Sequence, residues 1–244
     1  MRGRLAVSDS LHSQVAVLTL PDLKIGVQAR VPFCPGRLLA GRSLYCADVA
    51  DPAVHVLRPD TLKVERTFST APEIEALSLS HNGMNLYALS GGADSLQMME
   101  TGQGRLLNIV RVGMHPRAMA QDDAGRCVAV ACGGTCEVAV LDAATLRVYT
   151  TCQVGGVACG VCFFAGQLIA LCATGEYEMG TVVGAVGAEG KWSPWTKLPG
   201  LPGAMAPCGG GLLVGHMWGL TMLDAPNGRI RWQTKVAGLP TQII

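Results

Sequence analysis

The chain has 244 residues, about half of them apolar, with 15% charged residues and a formal net charge of +1. That balance excludes the basic footprint of a nucleic-acid binder and the like-charge run of a solvated tail. Aromatic residues make up 5% of the chain against 31 glycines, a composition suited to short strands joined by tight turns.

The amino terminus builds only three consecutive apolar residues, Leu5 to Val7, before Asp9. It therefore lacks the apolar run of a secretory signal. No window reaches the ~18 apolar residues of a membrane-spanning helix, so no membrane contact is expected. The ten cysteines are not needed as staples in a chain long enough to bury a core. Reduced thiols and a cytoplasmic location are the expectation.

Taken in order, the chain repeats one unit. A turn ending in Lys or Arg and followed by an apolar residue recurs at Lys24, Lys63, Arg105, Arg147, Lys191 and Arg229, in steps of 39, 42, 42, 44 and 38 residues. A glycine opens an alternating apolar segment at Gly3, Gly41, Gly83, Gly125, Gly166 and Gly210. A third mark, a proline or once an alanine, opens CPGRLLA, APEIEALSL, HPRAMAQ, VACGVCF, LPGAMAP and LPTQII. The period lies near the ~40–45 residues of four-stranded propeller blades and away from the ~33–34 of helical repeats.

Each unit parses as four antiparallel strands, A to D, because RCVAVAC and EVAVLD alternate with period two and no stretch keeps a helical period. In the clearest unit these are Ala118–Gln121, Arg126–Ala131, Glu137–Leu141 and Arg147–Val154. The chain enters at a B strand and ends with residues 239–244, which read as an A strand. The predicted fold is thus all-β: one domain spanning 1–244, a six-bladed β-propeller of four-stranded antiparallel blades, closed by the C-terminal strand completing the N-terminal blade. Closure removes the open edge that would otherwise invite aggregation.

With those segments in hand, the chain resembles the YVTN-type bacterial β-propeller repeats. NGMNLYALSGGADSLQMMETGQGRLLNIVRVGMHPRAMA, residues 82–120, is similar to one full copy, and residues 125–155 to another. Blade five departs: GEYEMGTVVGAVGAEGKWSPW lacks the Asp turn. The resemblance implies a propeller and names no shared catalytic set, so function has to be argued from a site.

In a four-stranded meander the A–B and C–D turns leave on one face, and the B–C loops and D–A connections on the other. The irregular residues gather on the second face. Ligand-binding candidates there are Arg37, Glu73, His115, Arg117, Glu176, Tyr177, His216, Trp218 and Gln242. Arg37, Arg117 and His115 suit a carboxylate or phosphate, although an Arg117–Glu73 pair tying blades together is the structural alternative. Trp218, with Met217 and His216, is an unusual B–C loop, and Tyr177 lies in the adjoining blade, which makes the boundary of blades five and six the best single location. Several aspartates, including Asp48 and Asp94, are explained by turn formation.

No catalytic residue, metal site or cofactor is assigned. Cys132 with Cys136, and Cys159 with Cys162, have half-site spacing for zinc, but structural zinc needs four ligands, and on a strand Cys159 and Cys162, like Cys127 and Cys132, point to opposite faces, so the cysteines are expected as small buried hydrophobes. The expected role is a non-catalytic binding or scaffold propeller, whose loop-rich face around the channel takes a small molecule, peptide or protein. The alternative is a metal-assisted hydrolase, lactonase or lyase, which requires at least three of Asp48, Asp94, Glu73, Glu176, His115 and His216 to converge.

Overall fold

A computed structural model describes residues 3–175, 179–187, 189–224, 227–236, 238 and 240. The described residues form only strands and turns, gathered into two compact units, Met1–Arg111 and Val112–Ile244. Among them, no helix is long and apolar enough to cross a membrane.

The first unit holds three antiparallel sheets. One is three-stranded: β1 (Arg4–Asp9), β2 (Gln14–Thr19) and β3 (Lys24–Arg30). The second runs β4 (Pro35–Ala40), β5 (Leu44–Asp48), β6 (Ala53–Leu57), β7 (Val64–Ser69), and the third β8 (Ile74–Leu79), β9 (Asn85–Ser90), β10 (Ser95–Glu100), β11 (Leu106–Arg111). The strand expected to complete the first sheet, from residues 239–244, lies outside the described residues apart from Pro240.

The second unit holds three four-stranded antiparallel meanders. They are β12 (Pro116–Gln121), β13 (Cys127–Cys132), β14 (Glu137–Asp142), β15 (Val148–Gln153); β16 (Val157–Phe164), β17 (Gln167–Thr174), β18 (Gly180–Val186), β19 (Trp192–Pro199); and β20 (Pro202–Cys208), β21 (Gly211–His216), β22 (Gly219–Leu223), β23 (Ile230–Thr234).

The punctuation of the sequence has a backbone cause. The residue just before each recurring Lys or Arg, namely Leu23, Leu62, Gly104, Leu146, Gly190 and Gly228, has φ between 53° and 73°. This is the left-handed residue that closes a longer hairpin loop after a type I turn. In the clearest unit the Leu146 N–H donates to the Asp142 carbonyl at 2.8 Å, and the Asp142 N–H to the Arg147 carbonyl at 2.9 Å. The Asp142 carboxylate accepts from the Tyr149 and Thr145 hydroxyls and from backbone N–H groups, which holds its pKa well below the usual range, at about 2.

Register repeats as well. A bulge interrupts the pairing of the last two strands of each sheet, at Val17/Leu18, Val56/Leu57, Met98/Met99, Val140/Leu141, Val183/Gly184 and Met222/Leu223. Another interrupts the first strand of each four-stranded sheet at its entry: Pro35/Leu38, Ile74/Ala76, Pro116/Ala118, Ala158/Gly160 and Pro202/Met205. Bulges bend a strand and re-aim the side chain of the extra residue. Arg37, Glu75, Arg117 and Cys159 occupy these positions.

Apolar faces of successive sheets make the cores. In the first unit Val15 and Val17 pack with Phe33, Leu44 and Leu57, while Tyr45, Val54, Val56 and Phe68 pack with Leu86, Ala88 and Met99. In the second, Ala129, Ala131 and Val138 meet Ala158, Ala170 and Cys172, and Cys162, Ile169 and Leu171 meet Leu212, Val214 and Leu223. Cys162 of β16 thus shares a layer with its cross-strand partner Ile169, while Cys172, three residues along β17 from Ile169, faces the other layer.

Candidate functional site

The B–C loops and D–A connections are tied by one repeated bond. In four of the five four-stranded sheets the residue ahead of the first strand accepts, through its carbonyl, the N–H of the residue beyond the second strand: Cys34 from Val49 at 2.8 Å, Glu73 from Gly91 at 2.8 Å, His115 from Gly133 at 2.9 Å and Leu201 from Met217 at 2.9 Å. Glu73 and His115 adopt φ of 54° and 49° to do so. Asp94, with φ 47°, is likewise part of a turn, the left-handed conformation that Asp tolerates.

Within the first unit, Arg37 Nη2 lies 3.6 Å from Glu75 Oε2, with both side chains largely solvated. Such a pair contributes only ~0–1 kcal/mol. The Glu73 carboxylate lies over Gly92. Asp48 is buried and points away from solvent: Oδ2 is 3.2 Å from His55 Nε2, and Oδ1 accepts the Ala50 N–H at 2.9 Å. His55 Nδ1 reaches Thr67 Oγ1 at 3.0 Å, and its ring stacks on Phe33 at 3.8 Å. This relay ties the second, third and fourth strands of one sheet.

Within the second unit, Arg117 stretches across Gly133, and the His115 ring lies against Gly134. Cys159 neighbours Arg117 and Cys136; burial is the largest influence and pushes its thiol pKa up, against a smaller lowering by Arg117. Among the described residues no three His, Cys, Asp or Glu side chains could hold a metal ion. The described members of the acidic and histidine set therefore do not converge as the metal-assisted alternative requires.

His216 is buried rather than presented on the rim. Its Nε2 lies 2.9 Å from Thr221 Oγ1, and its Nδ1 is 3.4 Å from the Trp218 N–H. Thr221 also accepts from Gln233 Nε2 at 3.0 Å. These contacts fit a neutral imidazole, with Nε2–H donating to Thr221 and Nδ1 accepting from Trp218. Burial lowers the pKa of His216, which holds it in that form; the Pro199 carbonyl beside it opposes the shift more weakly. His216–Thr221–Gln233 occupies the same strand positions as Asp48–His55–Thr67, so both are pins within the repeat.

What His216 supports is a concavity. Met179, Gly180, Lys197, Leu198, Pro199, Gly200, Met217 and Trp218 line a cavity of about 530 Å³. It is built from the loop before β18, the end of β19, the connection to β20 and the β21–β22 loop. Trp218 is 60% and Met179 56% exposed. The Trp218 indole lies across Gly200, where any Cβ would stand 2.7 Å from the ring and where φ is 75°. Glycine is required there on both counts.

The sequence singled out Trp218 and His216, and the cavity brings Met217 and Trp218 to one place. Of the other candidates, Arg37, Glu73, His115 and Arg117 do not line it, and Glu176, Tyr177 and Gln242 lie outside the described residues. Met179 and Lys197 had not been singled out. Met179 sits in an irregular loop, which was a usable signal, whereas Lys197 ends an ordinary strand and gave none. His55 was hidden inside an alternating AVHVL run.

Comparison with known proteins places the architecture. No known family profile matches the sequence, and no curated protein does. Among solved structures, hydrazine synthase from Kuenenia stuttgartiensis superposes with a TM-score of 0.79 at 16% identity, covering 98% of this chain and 84% of that one. Dihydro-heme d1 dehydrogenase NirN, in complex with DHE, gives 0.70 at 14% identity, over 97% of this chain and 56% of that one. A chain of the mitotic checkpoint complex gives 0.71 at 12% identity, over 88% and 68%. These neighbours are β-propeller proteins, and the repeated antiparallel sheets here are β-propeller-like. At such identities the likeness concerns the fold alone.

Proposed function

We propose that the chain is a six-bladed propeller of the YVTN type seen in bacteria, acting as a non-catalytic binding or scaffold module through its loop-rich face. The one observation that carries the binding role is the cavity at the boundary of blades five and six. There the loops depart from the repeat, and Met179 and Trp218 stay more than half exposed although apolar. Isolated exposed apolar residues are ordinary, but several around one concavity of ligand size mark a binding site. Closure into six blades is supported by Pro240, which lies against Gly203 of β20 and Gly215 of β21, where the next inner strand would begin.

A fragment screen read by tryptophan fluorescence tests this role. Hits are expected to lose binding in Trp218→Ala while far-UV circular dichroism stays unchanged. Hits indifferent to Trp218→Ala and Met217→Ala, or turnover that depends on His115 and Arg117, would argue against it.

A further inference from the structure

The cavity has a polarity as well as a shape. Its apolar walls are Met179, Leu198, Pro199, Met217 and Trp218. Two of its backbone acceptors are engaged inside the protein. The Met179 carbonyl accepts the Gly200 N–H at 3.1 Å, and the Gly200 carbonyl accepts the Thr181 hydroxyl at 2.8 Å. The polar side-chain groups left are the Lys197 ammonium and the Trp218 Nε1–H, both of which only donate. Among the described residues neither has a hydrogen-bond or ion-pair partner. Lys197 Cε lies over Gly180, so the ammonium extends from a wall of the cavity.

Resting on the binding role proposed above, we infer that this cavity takes a small aromatic carboxylate. The flat, exposed indole of Trp218 offers a stacking face. Two methionine thioethers add polarisable contacts to an aromatic ring. Lys197 and Trp218 Nε1–H supply one positive charge and two kinds of donor. A volume of about 530 Å³ holds a bicyclic acid within the range usual for small-ligand sites. An apolar amine would bring a second cation beside Lys197 and is disfavoured.

Isothermal titration of the full chain with 2-naphthoate and its neutral counterpart 2-naphthamide tests the inference. The carboxylate is expected to bind about tenfold tighter than the amide, the size of one charge-assisted hydrogen bond. Lys197→Met should remove that preference by weakening naphthoate about tenfold while leaving naphthamide within about twofold. Trp218→Ala should weaken both. Equal affinities in the wild type, or a preference that survives Lys197→Met, overturn the carboxylate assignment but leave the cavity a binding site if Trp218→Ala still weakens both probes. Binding indifferent to Trp218→Ala, or absent for both probes at millimolar concentration, overturns the assignment, and indifference removes the cavity reading with it.

Discussion

Replacing Thr221 by valine isolates the support beneath the cavity. The two side chains have nearly the same shape, so the core around this fully buried position keeps its volume. What disappears is the oxygen that accepts from His216 Nε2 at 2.9 Å and from Gln233 Nε2 at 3.0 Å. Gln233 is exposed and turns to water at little cost. His216, only 4% exposed, cannot, and an unsatisfied buried donor costs about 1–3 kcal/mol. The extra methyl offsets up to about 1 kcal/mol of this, leaving roughly 1–2 kcal/mol. In a protein of this size that lowers the melting temperature by about 2–8 °C.

All four tryptophans lie between positions 192 and 232, so their fluorescence in urea follows the second unit. The midpoint should fall with the slope unchanged. In a double-mutant cycle with His216→Ala, the two changes should couple by about 0.5 kcal/mol or more. A shift within about 0.5 kcal/mol for Thr221→Val, the range of an ordinary surface substitution, together with additive behaviour would refute the pin.

His216 also sets a pH dependence. Its folded pKa is depressed, so its contribution to stability is fully present above the unfolded value of about 6.5 and is lost as pH falls below that value toward the folded pKa. Protonation places an N–H on Nδ1 opposite the Trp218 N–H, so acid should also disturb Trp218 emission, an effect to be checked against His216→Gln, where it should vanish. Gly104→Ala should destabilise the first unit by about 2–4 kcal/mol, combining left-handed strain with overpacking. Its Cβ would stand 2.1 Å from the Phe68 ring, at φ 72°; thermal circular dichroism measures the loss. With Ellman's reagent the native protein should show one fast thiol, Cys208, the exposed cysteine. Burial pushes Cys46, Cys162 and Cys172 up to about 12, so these should react only on unfolding; fast modification of several thiols would contradict the packing.

The repeat was legible because its marks report local backbone conformation. Leu62, Leu146 and Gly104 stand at one left-handed turn position, and the Lys or Arg that follows kept the spacing visible. Alternation in CVAVAC and EVAVLD marked these segments as strands, and both are strands of one antiparallel sheet, β13 and β14. The entry bulges were not legible, since they exist only in the pairing of two strands. They bring Arg37 to Glu75 and Arg117 beside Cys159. The site was half visible: Trp218 declared itself by departing from the repeat, but the cavity also needs Lys197, an unremarkable residue of β19, and the hidden support of Thr221. That His216 would turn inward depends on a hydroxyl five residues away, across a hairpin.

A crystal structure of the full chain grown with 2-naphthoate tests the central claim most directly. The expected result is a closed ring of six blades, with the carboxylate beside Lys197 and the rings against Trp218 and Met217. A different blade number, or a ligand seated elsewhere with this cavity empty, would contradict it.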